Sequence, residues 1–256
     1  MNPRPLQAGD DRAIEELFAA TVALGRPLTF DCPGFDAYRD LCLGWYLGPG
    51  RDDAVVLEAS GRIVGYALAC VDAHAHRTWV RGEVTPWVLR TTRAIVSGRL
   101  PREAERFYRL RLRDGWAGLV GPPPPCGPHL HLNVESGSRG GAAGRLLIEA
   151  AEERFRLAGV RQWYGEINAP VGRRAVALER YGGRIVTRRP SLTFSWLAGR
   201  PVEALRVTRA VPAAPQSQPR RRNARYSSPA AEAMPASTNG YPNLQPSSGK
   251  VSKFIP

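Results

Sequence analysis

The stretch His129–Phe155, HLHLNVESGSRGGAAGRLLIEAAEERF, restricts the fold more than any other part of the chain. His129, His131, Asn133 and Glu135 alternate with Leu130, Leu132 and Val134, the period-two pattern of a strand with one polar and one apolar face. Small residues follow, and then Ala143, Leu146, Leu147, Ala150, Ala151, Phe155 and Ala158 recur at helical spacing. A strand that runs through a glycine loop straight into an amphipathic helix calls for an α/β arrangement, with the helix packed on the strand's own sheet.

The loop carries chemistry as well as a turn. The first N–H groups of a helix have no intrahelical partner and sit at the positive end of the helix dipole, so they attract anions. Glycine and alanine leave those groups open to phosphate oxygens. Arg139 stands beside the loop, and Arg145 lies in the first turn, where the dipole disfavours a cation unless an anion lies between them. The P-loop pattern GxxxxGK[ST] fails because no lysine follows these glycines, and GxGxxG cannot be laid on Gly137, Gly140, Gly141 and Gly144. A glycine turn that merely lets the helix pack on the strand is the other reading.

Elements alternate along the rest of the chain. Asp10 and Asp11 suit the start of a helix that buries Ile14, Leu17, Phe18 and Val22. FDAYRDLCLGWYL reads as a second helix, and AVVLEA with RIVGYALACV, joined at Ser60-Gly61, as a β-hairpin. Residues 83–118 read as helical and arginine-rich, up to the breaker GPPPPCGP. RQWYGEI is a further strand, VGRRAVALERYGG a helix ending at glycine, and RIVTRR, LTFSWL and EALRVTRAV are closing strands.

In this setting the chain resembles the GNAT superfamily of acyl-CoA-dependent N-acyltransferases, whose loop reads [QR]-x-x-G-x-[GA] between a strand and a helix. Arg139, Gly140, Gly141, Ala142, Ala143 and Gly144 fill that pattern, with Ala142 in place of the usual middle glycine. The resemblance implies an α/β (α+β) fold over residues 1–211: a central, mostly antiparallel, splayed sheet flanked by helices, with residues 75–128 as a helical insertion. It implies acetyl-CoA as cosubstrate, its pyrophosphate at residues 139–145. The pantetheine arm is expected at Asn168 and along the strand at Asn133 and Val134. The activity implied is acetyl transfer to an amine of a small molecule or peptide; a non-catalytic acyl-CoA-binding or interaction module is the alternative. Leu178 stands where the family often has the tyrosine that protonates the departing thiolate. Tyr181, three positions on, is the candidate for that acid, or a packing residue.

Aminolysis of a thioester needs a group that accepts the amine proton. Glu166 and Glu135 end the two strands expected to splay, and His131 lies on the polar face of one of them; surface glutamates paired with Arg139 or Arg173 are the bland reading of the two acids. His74 with His76, and His129 with His131, form two HxH pairs, but without a cysteine or carboxylate nearby in sequence no metal is assigned.

Lys and Arg outnumber Asp and Glu by 36 to 23, a formal charge of +13. Arg90, Arg93, Arg106, Arg109 and Arg113 of the insertion suit an acidic or phosphorylated acceptor, or simply a solvated face. Residues 212–256 are rich in Pro, Ser, Ala and Asn and are expected to form a disordered basic tail. Its run Arg220–Arg225 lacks interleaved aromatic residues, which argues against a nucleic-acid partner. No long apolar stretch points to a membrane, and Cys32, Cys42, Cys70 and Cys126 show no CxxC spacing, so reduced thiols in the cytoplasm are expected. The oligomeric state stays open.

Overall fold

Seven strands form one sheet in the order β1-β2-β3-β4-β5-β7-β6. The structure is a computed structural model and describes residues 1–120, 127–139, 141–172, 179 and 182–213. The strands are β1 (Asn2–Pro5), β2 (Ala54–Ala59), β3 (Arg62–Cys70), β4 (His129–Val134), β5 (Gln162–Pro170), β6 (Arg184–Pro190) and β7 (Val202–Ala210). Every neighbouring pair is antiparallel except β4 with β5. The hairpin turn between β2 and β3 places Ser60 and Gly61 both at positive φ, +50° and +73°, the backbone twist that a two-residue connection demands.

Alternation along the strands sorts the core into two layers. Val55, Leu57, Val64, Ala67, Ala69, Leu130, Val134 and Trp163 face helix α5 (Gly141–Leu157), which buries Ala143, Leu147, Ala151 and Phe155 against them. Leu146 and Ala150 of the expected stripe pack at the edge of this core, whereas Ala158 lies beyond the last turn and is exposed. On the opposite face, Val56, Tyr66, Leu68 and Cys70 meet α1 (Asp11–Thr21) through Ile14 and Leu17, and α2 (Phe35–Leu47) through Leu43, Trp45 and Tyr46.

The insertion roofs that second face with two helices, α3 (Ala73–Val96) and α4 (Arg102–Val120), rather than one continuous stretch over 83–118. Asp72 accepts hydrogen bonds from the N–H groups of His74 and Ala75 and starts α3 ten residues earlier than the pattern suggested. Gly98, at φ +65°, ends it, and Pro101 precedes α4. Trp87, Ile95, Phe107 and Tyr108 then build a third core with Tyr38 of α2.

One expected strand is a helix. LTFSWL forms α6 (Leu192–Ala198), although its alternating pattern reads as β. The cause is distant in sequence: the buried carboxylate of Asp114, on α4, accepts from Leu192 N (2.9 Å) and Thr193 N (3.0 Å), satisfying the first N–H groups of α6. Gly199 at φ +62° ends the helix. Strand β1 had no signal of its own, being four residues with two prolines at the sheet edge. The helix expected over VGRRAVALERYGG lies mostly outside the described residues, as do Cys126 and residues 214–256. Among the described residues, no helix is long and apolar enough to cross a membrane.

Candidate active site

The sheet opens where β4 meets β5. Along β3, strand β4 is paired from His129 to Val134; toward β5 its register partner is Tyr164 at His129 alone, closed by Tyr164 N–H to Pro128 O at 3.0 Å. Peptide groups alternate between the two edges of a strand, and Glu135 N–H donates to Val64 O on the β3 side. Leu132 and Val134 therefore turn their backbone groups toward the gap. Leu132, expected on the buried face, is 37% exposed because the splay removes the neighbour that would cover it. At the closed end the strands come so near that a Cβ on Gly165 would stand 3.3 Å from Leu130 O.

The mouth of the gap is the glycine loop. After Val134 a short 3-10 turn, Ser136–Ser138, leads to Arg139, and α5 begins at Gly141. A Cβ built on Gly137 or Gly144 meets nothing within 4 Å among the described residues, so as far as they reach the space in front of this helix end is open. Ala142 is exposed, whereas the Ala143 side chain is core, 1% exposed, and offers the loop only its backbone. Gly140 lies outside the described residues. The Arg145 side chain is 64% exposed and meets Glu149 at 3.8 Å, which leaves it able to swing toward an anion.

Arg139 has a structural duty. Its Nε donates to Val134 O at 2.9 Å and its Nη1 to Leu24 O at 3.3 Å, and the guanidinium lies where a side chain on Gly25 would be. It thus ties the loop after α1 to the end of β4, so glycine is required at position 25 both by that contact and by its φ of +93°.

The helix-roofed face of the splay is polar. His131 and Asn133 on β4 and Tyr164, Glu166 and Asn168 on β5 project to this side by strand alternation. Asn133 Nδ2 donates to the buried Tyr66 hydroxyl at 2.8 Å. The His131 ring lies 5.3 Å from the Tyr46 ring and 5.8 Å from that of His129. Crowding by protein lowers its pKa, while the Glu166 carboxylate acts in the opposite direction. Glu166 is itself held by Arg189 (2.8 Å) and Arg206 (3.6 Å). Glu135 turns away to pair with Arg62 at 2.9 Å. The structure brings His131, Glu166 and Asn168 to one face and leaves Glu135 outside that group; Tyr181 and Leu178 lie outside the described residues.

Two groups went unnoticed in the sequence. Tyr46 donates or accepts a buried 2.8 Å hydrogen bond with His129 Nε2, and burial lowers His129 to about 3 and the neighbouring His76 to about 4. Arg111 is the second. Its guanidinium lies over Tyr38 (5.2 Å) and Phe194 (5.6 Å), feels the charge of Glu166, and has no ion pair among the described residues; its Nε is buried without a hydrogen-bond partner. A helical wheel could have found it, since Ala104, Phe107, Tyr108 and Asp114, on the same stripe of α4, are all buried. The arginines singled out from sequence, Arg90, Arg93, Arg106, Arg109 and Arg113, are exposed instead.

No family model matches the chain, and no curated protein matches it in sequence. Among solved structures, SsHAT aligns with a TM-score of 0.59 at 22% identity, covering 83% of this chain and 98% of that one. YncA from Salmonella typhimurium, solved with acetyl-CoA, gives 0.47 at 16% identity, covering 84% and 98%. Ribosomal-protein-alanine N-acetyltransferase from Brucella melitensis gives 0.46 at 19%, covering 82% and 99%. Identities this low speak to architecture alone. With its single parallel contact between β4 and β5, its glycine-loop helix on one face and its superposition on SsHAT, the chain has the GNAT fold that its loop sequence resembles.

Proposed function

We propose that the protein is an N-acyltransferase that moves an acetyl group from acetyl-CoA to an amine. The observation that carries this reading is the splay between β4 and β5 with the open first turn of α5 at its mouth. The groove offers the backbone N–H and C=O of Leu132 and the N–H of Val134 to an extended amide chain, and helix N–H groups with Arg145 to a pyrophosphate. Open space at Gly137 and Gly144 fits phosphate oxygens close to the backbone. Asn168 of β5 would hydrogen-bond the arm from the other side of the gap.

When bound, the cosubstrate supplies a thioester carbonyl activated toward an amine. The chain's own task is to orient the amine and take up its proton. His131 and Glu166 do so as a unit: the imidazole accepts the proton, and the carboxylate, anchored by Arg189 and Arg206, stabilises the imidazolium that forms. Arg111, a cation without an ion pair among the described residues, favours an acceptor that carries a carboxylate or phosphate besides its amine. The free Cys32, Cys42 and Cys70 suit a cytoplasmic enzyme.

The test is thiol release from acetyl-CoA across a panel of amines with and without an acidic group, run beside direct CoA binding. CoA binding with turnover of acidic amines supports the reading. Absence of CoA binding would overturn it, and binding without turnover on the whole panel would convert the protein into a non-catalytic module.

A further inference from the structure

We infer that Cys70, His76 and His129 form a zinc site beneath the insertion. One potential ligand atom from each lies within 4.8 Å of the others. They come from three different elements: the last residue of β3, the first turns of α3 and the first residue of β4. The HxH pairs visible in the sequence lacked a partner nearby along the chain; folding supplies one by setting Cys70 opposite His129 in the β3–β4 ladder.

Thiolate sulfur with two imidazole nitrogens is a donor set that suits zinc, a borderline-soft ion content with tetrahedral geometry. The site has the surroundings such an ion needs. Cys70 is fully buried and His129 is 5% exposed, so a bound ion is shielded from water on the sheet side. His129 Nδ1 faces Gly127 O at 3.4 Å, the kind of outer contact that fixes a ligating ring and leaves its Nε2 pointing inward. That nitrogen is 2.8 Å from the Tyr46 hydroxyl, whose hydrogen bond an ion would displace, and water would supply the fourth ligand.

His76 is available to such an ion. His76 stacks against Trp45 (5.5 Å), Tyr46 (5.8 Å) and His129 (4.5 Å) yet makes no side-chain hydrogen bond among the described residues. The ring is half-buried, so it can turn a nitrogen to an ion shared with Cys70 and His129 without breaking a bond to another side chain. Binding replaces the Cys70 proton, which leaves to solvent, and exchanges the Tyr46 hydrogen bond at His129 Nε2 for the ion, with no proton lost from either neutral ring. The ion would clip the start of α3 to the sheet, close to His131 but through residues that the proposed transfer does not use.

The test uses the full chain without an affinity tag, purified under reducing conditions. Its zinc content is measured by mass spectrometry, and cobalt(II) is added to the chelator-treated protein. One zinc per chain is expected, with an intense thiolate-to-cobalt absorption in the near ultraviolet and visible bands of a tetrahedral ion. Cys70→Ser should abolish the thiolate band, and His76→Ala should weaken zinc binding at least roughly 10- to 100-fold, while His74→Ala, exposed on the same turn, should change neither. Circular dichroism of each variant separates lost ligation from lost folding. The inference is overturned if the wild-type chain retains no zinc and shows no thiolate-to-cobalt band, or if both persist in a folded Cys70→Ser variant. None of these readouts depends on acyl transfer.

Discussion

Gly144→Asp should raise the stability of the protein while weakening its grip on coenzyme A. Among the described residues, no atom lies within 4 Å of a Cβ added at this position. Helical Cα–Cβ bonds tilt toward the N-terminus, so the new carboxylate points back at the unbonded N–H groups of the first turn, which holds no acid of its own. Removing a helical glycine and placing an anion at the positive end of the dipole together stabilise by about 0.5–1 kcal/mol. For a body of this size that is a rise of roughly 1–4 °C in Tm. For the ligand the same carboxylate is an obstacle. At roughly 5 Å from a phosphate charge, with an effective dielectric constant of about 20, repulsion amounts to about 3 kcal/mol, and partial exposure at the mouth trims this to about 2–3 kcal/mol, or roughly 30- to 150-fold in Kd. Differential scanning fluorimetry without ligand gives the first quantity and titration calorimetry with CoA the second. Gly144→Ala serves as the control that keeps the helix gain and nearly all the affinity. Unchanged CoA affinity in a folded Gly144→Asp protein would refute the placement of the pyrophosphate at this helix.

Four further outcomes are expected. Glu166→Gln should lower kcat roughly 10- to 100-fold with CoA affinity unchanged, whereas Glu135→Gln, which breaks only a surface pair with Arg62, should leave steady-state kinetics within about twofold. Arg111→Met keeps the contact with Tyr38 and Phe194 but removes the charge, so KM for acidic amines should rise roughly 10- to 100-fold and KM for neutral amines should hold. Asp114→Ala orphans the buried Thr193 N–H, the part-buried Leu192 N–H and a Ser191 hydroxyl, a loss of about 2–4 kcal/mol in urea unfolding, with Asp114→Asn recovering part of it. Truncation after residue 213 removes a segment of little apolar content, and Tm should shift by less than about 2 °C.

The parts of this molecule that could be read from sequence are those whose cause is local. Helix α2 was bounded to the residue, the Ser60-Gly61 hairpin was recognised from its turn chemistry, and the strand, loop and helix around Gly141 followed from period and residue size. The local pattern misleads where the deciding partner is far along the chain. LTFSWL alternates like a strand and became a helix because a carboxylate 78 residues away, measured from Leu192, meets its first N–H group. Arg111 looked like its exposed neighbours Arg109 and Arg113 until its stripe was set against Tyr38 and Phe194. Glu135 and Glu166 looked equivalent as strand ends; only the sheet register, which sets Glu166 opposite Arg206, and the turn that carries Glu135 to Arg62 tell them apart.

The reach of Asp114 from α4 to α6 has a bearing on how such a protein could be rebuilt. An insertion that merely lay on the surface could be cut out, or swapped for a shorter connection, to reset which acceptors enter. Here the inserted segment also furnishes the carboxylate that starts a helix of the C-terminal half, and Arg189 of β6 donates back to the Asp114 carbonyl at 3.3 Å. A chimera that exchanges residues 73–120 must therefore bring its own acceptor for Leu192 and Thr193, or accept a strand-prone LTFSWL freed to pair elsewhere. On the function proposed above, acceptor range and correct assembly are inherited together, and a designer altering one edits the other.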